Sequence, residues 1–482
     1  MADRFTEHRQ RLAEQIGETG IAFVPASAEA VRNDDVHHEF RQDSNFVYLT
    51  GFEEPDAVAV IAPGHPDGEY VLFVRPRDPE MEAWNGYRAG VEGARERFGA
   101  DAAHEIDRLD EVVPRMMLGR TELWYRTGDA RHDGRITGLL GKARAYRDRY
   151  GKPAPEAIRD ISAVIGEMRL IKSAEEMESM RAACLLSAEG HREAMRFARP
   201  DLYEYQVQAA MEYVWREAGS RRNGYPSIVA SGPNACILHY VENDRRIEDG
   251  DLVLIDAAAE VDYYSSDITR TFPANGSFTA PQRAIYDVVL AAQRAAMEQA
   301  RPGAPWRAMH DTAVRVLTEG LVDLGLLPRG VDESLAMNHY REYYFHGTGH
   351  WLGLDVHDRG SYRIDGESRP LAPGMVFTVE PGLYLDVSKP KRSFALLEYD
   401  VDRWMEERIL EGDAARRRQD EALAEAEQVE LEIPEEFVGI GVRIEDDLLI
   451  TEDGHENLTA TVPAEPEEVE ALCAETSWLT RQ

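Results

Sequence analysis

Two aspartates stand where a water-soluble protein would not normally place a charge. Asp256 closes the aliphatic run Leu252–Ile255, a pattern typical of a buried strand, and Asp267 opens the β-prone run Ile268–Phe272. A hairpin-like connection between the runs would present both carboxylates from one side. An ionised carboxylate in an apolar setting costs several kcal/mol, and a bound cation removes that cost. The alternative is that Asp256 makes turn hydrogen bonds and Asp267 caps the next segment.

A glycine-rich stretch, FHGTGHWLGLDVHD at residues 345–358, carries three histidines: His346, His350 and His357. Its glycines leave the backbone room to bend around a centre. A single histidine in such a loop is more often a surface or core residue than a metal ligand. Three so close together favour a site.

Two further segments add charged side chains at strand positions. Glu380 ends an apolar run and is followed by Pro and Gly, so its charge needs a metal ion or an arginine as partner. Arg443 and Glu445 are two residues apart on a predicted strand and therefore project from the same face. Taken alone, that pair is more typical of a cross-strand ion pair than of a site.

The candidate ligand set has the charge of a two-metal site. Its four carboxylates contribute about −4, which two divalent cations balance, and oxygen-rich ligation with one imidazole suits Mn, Co or Zn. Two such ions about 3.5 to 4 Å apart can hold a bridging water and polarise a carbonyl. The set comprises Asp256, Asp267, His350, Glu380 and Glu445.

The composition disfavours two classes of partner. The 482 residues include 89 acidic and 54 basic side chains, a formal net charge of −35. This surplus disfavours nucleic acid and anionic membrane surfaces, because both need a basic patch. Three scattered cysteines indicate no disulfide framework, and the charged N-terminus lacks the apolar core of a signal peptide. We therefore expect a cytoplasmic protein without a membrane span.

Helix and strand patterns alternate in residues 1–168, where few histidines or carboxylates converge. This half is predicted to be an α/β domain and not the catalytic half. Its strand candidates are Ile21–Val24, Phe46–Leu49, Ala57–Ile61 and Tyr70–Val74.

Residues 169–482 combine long helices with antiparallel-type strands, which predicts an α+β domain. Ser173 and Glu176 form a capping-box pattern before a helix over 174–197. Asp201 and Glu204 repeat the pattern before a second helix.

Six segments in this order resemble the pita-bread metallopeptidases, and among them the Xaa-Pro aminopeptidases, or aminopeptidase P. The similarity extends from about Arg41 to Leu472. The matching strings are SGPNACILHY at Ser231, LVLIDA at Leu252, DITRTFP at Asp267, HWLGLDVHD at His350, PGMVFTVEPGLY at Pro373 and GVRIEDD at Gly441.

The resemblance implies an α+β protein with an N-terminal α/β creatinase-like domain over 1–168, followed by a C-terminal pita-bread catalytic domain over 169–482. It implies hydrolysis of the N-terminal Xaa-Pro bond of peptides by a metal-bridging water or hydroxide. The cofactors would be two divalent ions, Mn²⁺ with Zn²⁺ or Co²⁺ as alternatives. The substrates would be peptides with proline second, and the assembly a homodimer or homotetramer in which the N-terminal domain serves oligomerisation and the pocket rim.

The resemblance also assigns metal ligands. Asp256 is similar to a terminal ligand of one metal. Asp267 and Glu445 are similar to the carboxylates that bridge both metals. His350 and Glu380 are similar to ligands of the other metal.

The same resemblance implies catalytic roles. Glu380 would accept a proton from the attacking water, and His239, His357 and Arg443 would hold the carbonyl and the tetrahedral intermediate. Trp84 is similar to an aromatic that a neighbouring subunit contributes to the pocket, and a core Trp is the alternative.

Other hypotheses stay open. A prolidase, which cleaves only Xaa-Pro dipeptides, has the same ligands, and a non-catalytic pita-bread scaffold would lose some of them. A methionine aminopeptidase lacks the full N-terminal domain. The charged insertion near 386–436 departs from the resemblance and is predicted to form a surface helix, with a specificity element as the alternative.

Overall fold

The computed structural model describes residues 4–481 and divides the chain into two compact units, one ending at Arg169 and one beginning at Leu170. Both units mix helices and strands, which confirms the predicted α+β class. Among residues 4–481, no helix is long and apolar enough to cross a membrane.

The strands of the first unit are β1 Gly20–Pro25, β2 Val31–Asn33, β3 Val36–His37, β4 Val58–Ile61, β5 Tyr70–Val74, β6 Ala102–Glu105, β7 Glu122–Trp124 and β8 Ala157–Arg159. Six of them form a mixed sheet in the order β6-β5-β4-β1-β7-β8, and β2 pairs with β3. Its helices are α1 Arg4–Ile16, α2 Ser44–Thr50, α3 Pro79–Asn85, α4 Gly90–Glu96, α5 Leu109–Met116, α6 Asp133–Tyr150 and α7 Ile161–Leu170, which reaches the boundary.

One strand expected in this unit is wrong. The apolar run Phe46–Leu49 lies in helix α2, because the Asp43 side chain accepts a hydrogen bond from the Phe46 amide and Gly51 ends the helix with a left-handed φ of 62°. A short apolar run that is buried on all sides has no periodicity to separate helix from strand. The other strand candidates coincide with β1, β4 and β5.

The second unit packs two helix pairs, its first helix with its second and its third with its fourth, on short antiparallel strands. Its helices are α8 Ala174–Phe197, α9 Glu204–Glu217, α10 Ala280–Met297, α11 Arg307–Asp323, α12 Val331–Ala336, α13 Val401–Glu411, α14 Asp413–Glu425 and α15 Pro466–Cys473. Its strands are β9 Arg222–Asn223, β10 Ile228–Ser231, β11 Leu252–Asp256, β12 Ala259–Val261, β13 Tyr264–Ser265, β14 Thr269–Pro273, β15 Arg363–Ile364, β16 Glu367–Ser368, β17 Val376–Val379, β18 Gly382–Tyr384, β19 Lys391–Ala395, β20 Gln428–Glu432, β21 Gly441–Arg443, β22 Asp446–Ile450 and β23 His455–Asn457.

Two apolar cores support the strand ends that carry polar side chains. One core joins α8 and α9 to β11 and β14 through residues such as Trp215, Val253 and Phe272. The other joins α10 and α11 to β18 and β21 through residues such as Leu317 and Val442. Each set of strands is thereby held against a rigid helix pair.

The charged insertion forms a β-hairpin of β19 and β20 that carries helices α13 and α14. Helix α13 buries none of its residues, and Ile409 and Leu410 are 81% and 75% exposed. A capping box of Ser173 and Glu176 begins α8 as predicted.

Candidate metal centre and active site

The two opening aspartates come together through a tight hairpin. Strands β11 and β14 are antiparallel, with Asp256 opposite Thr269, so Asp267 lies just beyond the end of the same ladder. The chain between them turns in the β12–β13 hairpin, whose central residues Asp262 and Tyr263 have φ of 49° and 72°. Positive φ at both positions matches the twist of the flanking strands. The predicted hairpin is confirmed.

His350 is positioned by β17. Its backbone N–H donates to Thr378 Oγ1, and its carbonyl accepts from the Thr378 N–H at 3.0 Å. Gly349 allows this approach, because a Cβ there would lie 1.9 Å from the Thr378 carbonyl oxygen. Glu380 follows β17 directly, so the same strand places both side chains at the site.

Glu445 lies between β21 and β22 and is tied to β14. Its backbone N–H donates to the Thr269 carbonyl at 3.1 Å, and Thr269 Oγ1 donates to Glu445 Oε2 at 2.6 Å. Arg443 Nε also donates to Thr269 Oγ1, at 3.1 Å. Strand β14 therefore fixes both residues of the predicted Arg443–Glu445 pair, and both line one cavity.

All five predicted ligands line that cavity. Ligand atoms of Asp267, His350 and Glu445 lie within 4.8 Å of one another. His350 Nε2 lies 3.4 Å from Asp267 Oδ2 and 3.6 Å from Glu380 Oε1. Asp256 joins the cluster through Tyr225, whose hydroxyl lies within hydrogen-bonding distance of Asp256 and Asp267.

Burial and mutual repulsion disfavour ionisation of the carboxylates in the acidic cluster. Burial, with repulsion from Asp267, raises the pKa of Glu445 well above its ordinary value and also raises the pKa of Asp256. Burial raises the pKa of Glu380 to about 7. Burial opposes protonation of His350, but its hydrogen bond to Asp267 and the charge of Glu380 raise its pKa to about 9. These shifts indicate a cluster whose carboxylates ionise together only when additional positive charge is present.

These side chains fit divalent cations. A single Tyr225 hydroxyl proton serves two carboxylates, so one of the two contacts has no proton. Arg443 Nη2 donates to Asp256 Oδ2 and supplies one counter-charge. Four carboxylates, one guanidinium and two divalent cations leave one positive charge in excess, which suits an anionic nucleophile.

The cavity has a volume of about 510 Å³, and the predicted histidines lie on its wall. The His357 ring lies 4.4 Å from the His350 ring and nearly perpendicular to it. His239 is exposed on the wall, and its ring makes no hydrogen bond to residues 4–481. The structure thus brings His239, His357 and Arg443 to the same cavity as the acidic cluster.

Two residues that line the cavity, Tyr225 and His346, were missing from the predicted site, as was Tyr384, which contacts Arg443 and His346. Arg443 Nη1 donates to Tyr384 Oη at 3.1 Å, and His346 Nε2 lies 2.9 Å from the same oxygen. His346 Nδ1 lies 2.8 Å from the Gly347 carbonyl. Because burial lowers the pKa of His346 to about 3, its neutral ring donates from Nδ1 and accepts the Tyr384 proton at Nε2. The three histidines of 345–358 were a signal for His346; the tyrosines gave none.

Trp84 lies on helix α3 of the first unit and is 84% exposed. The alternative of a core Trp is therefore wrong. Tyr87, three residues on, is 90% exposed.

Known proteins match both units. The sequence model of metallopeptidase family M24 matches residues 178–452, and that of the aminopeptidase P N-terminal domain matches residues 5–124. The Xaa-Pro aminopeptidase of Haemophilus influenzae is 40% identical over 98% of this chain and 97% of its own.

Solved structures agree over the same length. The structure of Pseudomonas aeruginosa aminopeptidase PepP has a TM-score of 0.87 at 44% identity, covering 98% of this chain and 97% of that one. Zn-substituted Escherichia coli aminopeptidase P in complex with product has a TM-score of 0.85 at 40% identity, with the same coverage. The predicted layout, an N-terminal domain before a pita-bread domain, is confirmed. The chain belongs to metallopeptidase family M24 and, within it, to the Xaa-Pro aminopeptidases, which are hydrolases.

Proposed function

We propose that this chain is a dinuclear-metal aminopeptidase that hydrolyses the bond between the first residue of a peptide and a proline in second position. The observation that carries the proposal is the convergence of four carboxylates and His350 on the wall of one cavity that also presents two histidines and an arginine. Such a set combines sites for cations with hydrogen-bond donors for a substrate carbonyl.

The proposed metal ligands differ in what they hold. Asp267 and Glu445 are buried at the centre of the cluster, which supports a bridging role for both. Asp256 would hold one cation, and its carboxylate has lone pairs enough to do so while accepting from Tyr225 and Arg443. His350 and Glu380, 3.6 Å apart, would hold the other cation.

The bound divalent cations would lower the pKa of a water molecule and polarise the substrate carbonyl. Glu380 would take the proton of the attacking water at a carboxylate oxygen. His239 and His357 would donate hydrogen bonds to the carbonyl oxygen as charge develops on it. Arg443 would favour the ionised form of Asp256 and orient Tyr384.

A proline in second position has a physical reason. The bond before proline is a tertiary amide without an N–H, so an enzyme that binds that N–H loses a contact. A cavity that binds the carbonyl instead has no such requirement. The free N-terminal amine of the substrate can lie against the acidic cluster, which accounts for cleavage after one residue.

Peptide length separates this activity from the prolidase alternative. We expect the Mn²⁺-loaded protein to release arginine from Arg-Pro-Pro, and chromatography of the products measures this release. Cleavage of Gly-Pro with no cleavage of the tripeptide would establish a prolidase instead. A protein that binds metal and cleaves neither peptide would support the non-catalytic scaffold.

Two substitutions test the roles within the site. Asp267→Ala removes a bridging carboxylate and should abolish both metal occupancy, measured by elemental analysis, and turnover. His239→Ala should keep both metals and lower kcat. An Asp267→Ala protein that retains two metals and full activity contradicts the ligand assignment.

Other features stay predictions from the sequence. These are Mn²⁺ as the native metal, a cytoplasmic location and a homodimer or homotetramer in which residues 1–168 serve assembly and the pocket rim while 169–482 carry catalysis. The exposure of Trp84 and Tyr87 supports an aromatic contribution to a partner subunit. Metal analysis of protein purified without added metal and light scattering test the first and last of these.

A further inference from the structure

The loop that carries His239 joins β10 to β11. Because the exposed His239 ring makes no hydrogen bond to residues 4–481, the position of the imidazole depends on the backbone of this loop. The next residue, Tyr240, is buried, with 7% of its surface exposed. Whatever fixes Tyr240 and the chain on both sides of His239 therefore also fixes the position of His239.

A single carboxylate makes those contacts. Glu204, the first residue of α9, is fully buried, and its side chain accepts five hydrogen bonds. Oε1 accepts from the Ser231 amide and hydroxyl, both at 2.7 Å, and from Asn234 Nδ2 at 3.3 Å. Oε2 accepts from the Tyr240 hydroxyl at 2.8 Å and from the Arg245 amide at 2.9 Å.

These donors lie on both sides of His239 along the chain. Ser231 is the last residue of β10, Asn234 precedes His239 in the loop, and Tyr240 and Arg245 follow it. The Glu204 amide also donates to the Arg245 carbonyl at 3.0 Å. Glu204 therefore binds both the backbone N–H and the backbone carbonyl of Arg245. Hydrogen bonds to a buried carboxylate are shorter and stronger than those between neutral groups.

We propose that Glu204 is a positioning residue for catalysis, which sets the place of His239 by tying its loop to the start of α9. The inference rests on the proposed role of His239 in hydrolysing Xaa-Pro bonds. Glu204 makes none of its five contacts with a proposed metal ligand, so its effect is expected on turnover and not on metal content. A displacement of a catalytic group by about 1 Å can cost about 100-fold in rate.

The test is Glu204→Gln, which keeps the shape of the side chain but replaces one carboxylate oxygen by an NH₂ group. The donors that faced that oxygen then have no acceptor. With Arg-Pro-Pro as substrate, we expect a roughly 10- to 100-fold lower kcat, a smaller change in KM and unchanged metal content. In the His239→Ala background the same substitution should lower kcat no further, because its effect acts through His239. An equal loss in both backgrounds would overturn the proposal in favour of a merely structural role.

Two further variants keep the test decisive. Tyr240→Phe removes one donor to Glu204 and should give a smaller loss of kcat in the same direction, even if Glu204→Gln folds poorly. Glu193→Gln is the matched control, because Glu193 is a buried carboxylate of α8 that accepts a hydrogen bond from the Ser477 hydroxyl. Ser477 is distant in sequence from the His239 loop. It should reduce stability without changing kcat.

Hydrogen exchange separates this inference from the proposed function. Amides of residues 232–245 should exchange faster in Glu204→Gln than in the wild type, and those of Glu193→Gln should not. If the wild type fails to cleave Arg-Pro-Pro, the proposed function fails while the exchange result still supports or overturns the loop attachment. An active wild type with unchanged exchange and kcat in Glu204→Gln overturns the inference alone.

Discussion

The metal-free protein should become less stable as the pH rises. In the metal-free cluster the pKa of Glu380 is about 7, against an ordinary value of 4.5. One pKa unit corresponds to about 1.4 kcal/mol, so this shift corresponds to about 3 kcal/mol in the free energy of unfolding. The main cause is burial of the Glu380 carboxyl away from water, and the nearby charges of Asp267 and Asp256 raise its pKa further.

The sign follows from which state binds the proton more tightly. Because the folded pKa of Glu380 is raised, its stabilisation is complete below about pH 4.5 and is lost as the pH rises through about 7. The folded pKa of His350 is also raised, from 6.5 to about 9, so its contribution is lost between those values. Bound divalent cations reverse the effect, because the deprotonated ligands are then paired.

Urea unfolding with and without Mn²⁺, at pH 5 and pH 8, measures this difference. We expect metal-free protein to lose about 3 kcal/mol or more on going to pH 8, while metal-loaded protein does not. Glu445→Gln should stabilise the metal-free protein at pH 8, because it removes a carboxyl whose ionisation is opposed by burial and by Asp267, and should lose most of the stabilisation by metal. Glu217→Gln, at an exposed glutamate of α9, is the control. An equal loss with and without metal would refute the reasoning.

Further predictions concern the framework of the site. Lys172 Nζ and Asp358 Oδ2 lie 3.1 Å apart, and both side chains are 1% exposed. Lys172→Met leaves the Asp358 carboxylate buried without this cation, so it should lower the free energy of unfolding by about 3 to 5 kcal/mol, and adding Asp358→Asn should restore part of the loss. Equal destabilisation of the single and double variants in urea would contradict this. Gly349→Ala should reduce metal content measured by elemental analysis, because its Cβ would lie 1.9 Å from the Thr378 carbonyl oxygen. Gly347→Ala, whose Cβ meets no atom closer than 3.8 Å, should leave metal content unchanged, and equal metal loss by both would disprove the packing argument.

The fold was predictable where a local signal and the tertiary structure agree. Ser173 and Glu176 cap α8, whose bounds match the predicted helix, because both the cap and the apolar periodicity act within a few residues. The same pattern at Asp201 and Glu204 predicted the second helix correctly but its cap wrongly. Helix α9 begins at Glu204 itself, and the Glu204 carboxylate faces the His239 loop instead of a backbone amide of its own helix. Five distant donors outcompete one local cap.

The candidate metal ligands could be identified in the sequence for a chemical reason. A charged side chain at the end of an apolar strand is costly, so the cost itself marks Asp256 and Glu380 in the sequence. Tyr225 carries no such mark. Its position between two carboxylates depends on the pairing of β11 with β14, and no spacing along the chain reports that contact.

The difference between ligands and the residues that support them therefore has a physical basis. Ligands must be of a few residue types whose burial is unfavourable without a partner, and the sequence shows that conflict directly. A supporting residue such as Glu204 or Lys172 already has its partners in the folded chain, so its burial is compensated and its type is ordinary. What distinguishes it is the sequence distance to those partners, 27 residues from Glu204 to Ser231 and 186 from Lys172 to Asp358. Contacts between residues so far apart in the sequence depend on the fold of the whole domain. Substitution of Glu204 or Lys172 should therefore change turnover or stability without removing a metal ligand.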